Sequence, residues 1–100
     1  MIGFKTEVLA LEAVDQAVRA VENSGKAFIF KREARVTGLS WLATIAVKTK
    51  ISKSFETIGA IKEASLNNEI DLVFSGSEMN IQNGDFETDY IFVTVEIRPK

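Results

Sequence analysis

Apolar and polar residues alternate over most of this chain, and one stretch switches from period 2 to period 3.6. In IGFKTEV, residues 2–8, Ile2, Phe4, Thr6 and Val8 lie on one side and Lys5 and Glu7 on the other, which predicts a strand. From Ala10 to Glu22 the spacing becomes helical. Glu12, Asp15, Arg19 and Glu22 form one polar stripe, and Leu11, Ala13, Val14, Ala17, Val18, Ala20 and Val21 fill the rest of the wheel. Asn23-Ser24-Gly25 is a helix stop with its C-terminal glycine.

Residues 27–36 and 41–51 alternate again and flank Thr37-Gly38-Leu39-Ser40, the signature of a hairpin turning at Gly38-Leu39. That register sets Val36 against Trp41, Ala34 against Ala43 and Phe30 against Val47 on an apolar side. Lys31, Glu33, Arg35, Lys48 and Lys50 take the other side. Arg32 falls among the apolar residues, opposite Ile45, from where its long side chain can snorkel to an edge. Residues 52–68 predict a second helix, with Ser54 as N-cap and Glu56 in the first turn.

The segment 70–97 folds on itself at Asn83-Gly84, a strong short-range hairpin signal. Pairing Gln82 with Asp85 places Phe74 opposite Val93, Leu72 opposite Val95, Ile70 opposite Ile97 and Ile91 opposite Gly76, all on one face. Gly76 between two serines marks a bulge or bend. The element order β-α-β-β-α-β, with one extra strand, predicts a ferredoxin-like α+β sandwich: two helices over one face of an antiparallel sheet, ending in a long C-terminal hairpin.

In that register the other face of the last hairpin is also apolar. Met79, Ile81, Phe86, Tyr90 and Phe92 form a strip flanked by Glu78, Asp85, Glu87 and Asp89. An apolar patch rimmed by charge marks a partner surface, and a symmetric dimer is the simplest partner. The competing reading is that the arm curls over its own domain, since a lone hairpin is marginal in water.

Charge adds a second candidate. Lys26, Lys31, Arg32, Arg35, Lys48, Lys50 and Lys53 face the single acid Glu33 within residues 26–53, whereas only Arg98 and Lys100 oppose the acids from Glu63 onward. Lys31, Arg35, Lys48, Lys50 and Lys53 are therefore the residues to hold a phosphate or a nucleic-acid backbone. Against this, these strands show Leu42, Thr44 and Ala46 where an RNA-recognition sheet needs stacking aromatics, and the pI is about 5.1. Such a basic face can equally meet the acidic arm of another copy.

Composition narrows the chemistry further. The chain has 100 residues, 46% of them hydrophobic and 26% charged, which predicts one domain with a core of its own. It contains no cysteine and no histidine, which removes Cys–His and Ser–His nucleophile pairs, disulfides and the usual zinc ligands. Asp71 and Glu96 become cross-strand neighbours in the expected register, the one carboxylate pair open to acid–base work. Asn83, Asp85, Glu87 and Asp89 resemble a calcium loop only in their spacing, because the glycine comes too early for an EF-hand. No apolar run spans a bilayer, and the acidic start does not fit a signal peptide. The expectation is thus a cytoplasmic, non-enzymatic interaction module without cofactor or metal, self-associating as a homodimer or homo-oligomer, with nucleic-acid or phosphate binding as the alternative.

Overall fold

Thr6 caps the first helix. Its side chain accepts a hydrogen bond from the Leu9 N–H at 3.2 Å, and Glu7 follows in the first turn of helix α1, Glu7–Glu22. The period-2 run at 2–8 is therefore not a strand. Capping by Thr6 wins, and Val8 becomes a solvent-facing helical residue, 63% exposed. What remains of the expected strand is one bridge, in which Phe4 and Trp41 exchange N–H···O bonds of 2.8 Å each. Gly3 permits that approach, since a Cβ there would sit 2.7 Å from the Ser40 Cβ. The structure, a computed structural model, describes residues 3–23, 27–67 and 69–100. Ile2, Ser24, Gly25, Lys26 and Asn68 lie outside the described residues.

After α1 come strands β1, Phe28–Thr37, and β2, Ser40–Lys50; a 3-10 turn, Ile51–Lys53; helix α2, Ser54–Asn67; and strands β3, Ile70–Asn80, and β4, Tyr90–Pro99. The fold is α+β, with two helices and a four-stranded antiparallel sheet ordered β1-β2-β4-β3. The chain thus runs α-β-β-α-β-β, in place of the expected ferredoxin-like βαββαβ order. Two helix–hairpin halves meet where β2 pairs with β4. Ser54 is not an N-cap acceptor; its hydroxyl donates to the Ile51 carbonyl at 2.8 Å and closes the 3-10 turn.

The first hairpin turns at Gly38, whose φ of 61° suits a glycine-first turn. Val36 faces Trp41, Ala34 faces Ala43 and Arg32 faces Ile45, as the alternation requires. Arg32 escapes the apolar face sideways and reaches Glu22 at the end of α1, 3.6 Å away. Beyond Lys31 a bulge intervenes, so Ile29 and not Phe30 stands opposite Val47. The last hairpin is displaced as well. Phe74 faces Val95, Leu72 faces Ile97 and Ile70 faces Pro99, two residues from the expected register, and a bulge at Ser75 then sets Met79 against Ile91.

The core is one cluster between the helices and one sheet face. Ala10, Ala13, Val14, Ala17, Val18 and Val21 of α1, with Ile61 and Ala64 of α2, close over Ala43, Ile45, Val47, Val93, Val95 and Ile97. The small residues of α1 let it lie close to the strands. Among the described residues no helix packs on the opposite sheet face. The molecule is accordingly thin, 43 × 26 × 16 Å, one sheet and one helical layer deep.

Candidate functional site: the uncovered sheet face

Residues directly paired in an antiparallel sheet share a face, so the register identifies every side chain opposite the helices. Across the four strands these fall in rows. Phe28, Lys48, Phe92 and Glu78 form one row; Lys31, Ala46, Thr94 and Gly76 the next; Glu33, Thr44, Glu96 and Val73 the third. Lys50, Tyr90 and Asn80 close one end. The bulge turns Phe30 onto this same face, where its ring meets Phe92 edge-on with centroids 5.0 Å apart. Phe28 and Phe30 are 70% and 65% exposed. Lys48 lies with its ammonium 4.2 Å from the centre of the Tyr90 ring and 5.9 Å from that of Phe92.

Two depressions of about 430 and 420 Å³ run along this surface. The first is lined by Lys31, Glu33, Arg35, Leu42, Thr44 and Glu96 among others, the second by Phe30, Glu78, Met79 and Phe92. They share Ala46 and Thr94, two small side chains at the middle of the sheet, and so adjoin there.

The sequence-predicted apolar strip is divided by this geometry. Tyr90 and Phe92 stand on the uncovered face. Met79 pairs with Ile91 and so shares that residue's parity, not that of Phe92, although from the edge strand it still borders the second depression. Ile81 and Phe86 are in no strand; they belong to the loop 81–89, where both are exposed. The two-residue turn at Asn83-Gly84 is replaced because Asp89 gathers the backbone around itself. Its carboxylate accepts N–H bonds from Gln82 (3.2 Å), Asn83 (3.0 Å) and Asp85 (3.0 Å), while its own N–H donates to the Asp85 carbonyl at 2.8 Å. The loop also docks on the 3-10 turn, where Ile51 and Ser52 donate to the carbonyls of Asp89 and Phe86. Charge-assisted bonds to a buried carboxylate outweigh the ladder that an isolated two-stranded arm would gain.

Burial pushes the Asp89 carboxyl up, but the N–H groups of Asn83, Asp85, Gln82 and Gly84 outweigh it and hold it below its ordinary value of 3.8. A depressed native pKa stabilises the fold above the ordinary value, and that contribution is lost as pH falls through the native one. Asp89→Asn should therefore melt below the wild type at neutral pH, with the gap closing under pH 3.8, as thermal denaturation at several pH values will show. A gap independent of pH would mean the charge is not what organises the loop. Among the described residues no group of three or more acids is placed to hold a metal ion.

The basic residues are only partly brought together. Lys31, Arg35, Lys48 and Lys50 share the uncovered face, but Lys53 lies in the 3-10 turn, 4.0 Å from Glu56. Glu33 sits between two of them, 3.2 Å from Lys31 and 3.5 Å from Arg35. The Asp71–Glu96 pair does not form, because the register shift puts Asp71 opposite Arg98 and Glu96 opposite Val73; Glu96 is held by Arg98 at 3.0 Å. Phe28 and Phe30 are the site residues that alternation alone passes over. The signal was present in AFIF, which is apolar at both parities.

Fold and site together define an open-faced α+β protein, with aromatic and charged groups displayed on the face of an antiparallel sheet that the two helices leave uncovered. Comparison with protein-family models, with curated proteins and with solved structures finds no match to this chain. No helix among the described residues is long and apolar enough to cross a membrane.

Proposed function

We propose that this protein is a non-enzymatic interaction module whose working surface is the uncovered sheet face, and that a second copy of the chain occupies it. The observation that carries this reading is the Phe30–Phe92 ring contact, built by a bulge on a face that no helix covers. Exposed aromatic rings bordered by charge are the usual chemistry of a protein interface. Two antiparallel sheets pack face to face about 10 Å apart, a distance the small Ala46 and Thr94 side chains at the centre accommodate. Four strands of about ten residues offer roughly 19 × 33 Å, on the order of 600 Å² per copy and ~1,200 Å² in total. That is the lower end for specific complexes, so the dimer should exchange and depend on concentration. An intracellular setting fits the cysteine-free sequence and belongs to the same proposal.

Light scattering at rising concentration should show the mass of the wild type climbing from 11.1 kDa toward twice that value. Phe30→Asp should remain a folded monomer, because Phe30 is 65% exposed and supports no core contact. A wild type that stays monomeric at every concentration overturns the reading. Phosphate or nucleic-acid binding is the second reading, favoured by Lys48 against Tyr90 beside two phenylalanines. Glu33, Glu78 and Glu96 on the same face oppose it. Binding of a single-stranded oligonucleotide that weakens steeply with salt would favour that alternative.

A further inference from the structure

The uncovered face is divided by charge along a line between β2 and β4. On the β1–β2 half, Lys31, Arg35, Lys48 and Lys50 are set against Glu33 alone; on the β4–β3 half, Asp71, Glu78 and Glu96 are set against Arg98 alone. The self-association proposed above says nothing of orientation, and this division supplies it. We propose that the two copies face each other about a twofold axis parallel to the strands, lying between β2 and β4, so that the basic half of each covers the acidic half of the other. The inference rests on the face-to-face reading and fixes which parts of that face meet.

Aligned sheets can be related by a twofold axis along the strands or across them. An axis across the strands lays β1 over the partner's β1, cation over cation and acid over acid. The axis along the strands exchanges left and right without moving a residue along its strand. Each β1 then lies over the partner's β3, and each β2 over the partner's β4. Arg35 comes level with Asp71 of the partner subunit, since both occupy the row at the Leu42 end. Lys31 lies one row from the partner's Glu78, about 6.6 Å along the strand, within reach of a lysine and a glutamate. Lys48 comes over the partner's Phe92, repeating between copies the cation–ring contact it makes within its own. Ala46 meets the partner's Thr94 beside the axis, at the centre of the face.

Reciprocal charge reversal separates the arrangements. The dimer dissociation constant is measured by sedimentation for wild type, Lys31→Glu, Glu78→Lys and the double variant, with Phe30→Asp as the face control and circular dichroism reporting the fold. Both charged side chains are exposed, so folding should be unaffected. Every contact occurs twice in a symmetric dimer, so each single reversal should weaken association about tenfold. The double variant, which rebuilds the pair with its signs exchanged, should return to within about threefold of wild type. If the single reversals tighten the dimer or leave it unchanged while Phe30→Asp still breaks it, the orientation is wrong and the face-to-face reading stands. If the wild type does not dimerise, or Phe30→Asp dimerises as well as the wild type, the reading itself falls and the orientation with it.

Discussion

Ile61→Ala should be the most damaging single substitution in either helix. Among the described side chains of helix α2, Thr57, Ile61 and Ala64 are buried toward the sheet and the Ser65 hydroxyl accepts the Leu72 N–H of β3 at 3.0 Å; Ile61 is the large apolar side chain of that group with no exposure. On the opposite side Phe55 and Leu66 are 87% and 81% exposed and contribute no core contact. Truncating a buried isoleucine costs about 2–5 kcal/mol, transfer and cavity together. A domain of this size commonly has only 5–15 kcal/mol in hand. The loss should concentrate on α2, with its amides exchanging faster than those of β2 and β4. Phe55→Ala should by contrast stay within about 0.5 kcal/mol of wild type. Urea denaturation of both variants decides the point, and equal midpoints would show that α2 is not anchored through Ile61.

A second tie holds α2 to the sheet, and its loss should be felt almost as strongly. The hydroxyls of Thr49, at the end of β2, and Thr57, in α2, lie 3.0 Å apart, and both residues are 1% exposed. The Thr49 hydroxyl also lies 3.3 Å from the Lys50 carbonyl, an acceptor only, so it can donate to Lys50 while accepting from Thr57. Thr49→Val takes the acceptor from the buried Thr57 hydroxyl and should cost about 1–3 kcal/mol. Thr57→Val leaves Thr49 its bond to Lys50 and should cost less. The double variant, with two isosteric apolar groups in contact, should cost less than the sum of the two, with a coupling of about 0.5 kcal/mol or more in a double-mutant cycle. Additive losses would mean the two hydroxyls do not act as a pair.

What the sequence disclosed, and what it concealed, divides along physical lines. The Gly38 hairpin was legible because a positive-φ glycine and its flanking alternation act over neighbouring residues. The pairing of Arg32 with Ile45 was legible for the same reason, although its resolution required Glu22, a residue on another element. Thr6 was missed because three alternating residues before a helix resemble a strand, and only the N–H of Leu9 reveals the cap. The bulge at Ser75 was signalled by Gly76 between two serines, whereas the bulge at Phe30 inserts one residue without altering composition, so the alternation gives no sign of which residues change face there. The two bulges account for most of the difference between the expected apolar strip and the observed site. Asp89 was read as one of the charges flanking the apolar strip, yet it is 3% exposed and organises residues six and seven positions before it. Side-chain capping across a loop has no periodic signature.

The meeting of β2 with β4 has a consequence for how the chain reaches its native state. The β1–β2 hairpin closes through a turn at Gly38, and β3–β4 through the Asp89 loop, so both can form from residues near in sequence. The join between them pairs Ala43 with Ile97, Ile45 with Val95 and Val47 with Val93, and it closes a loop of about 50 residues. Such closure costs roughly 3.5 kcal/mol beyond a length-independent constant, and no ladder bond is gained until it is met. The rate-limiting barrier to folding is therefore expected at that docking step, with Ile45, Val47, Val93 and Val95 in its nucleus. Substitutions there slow folding, whereas those at the hairpin tips mainly hasten unfolding. Until the two halves dock, each hairpin presents its inner edge, β2 or β4, as an open ladder, and it is in that interval that the chain is most exposed to pairing with the wrong copy.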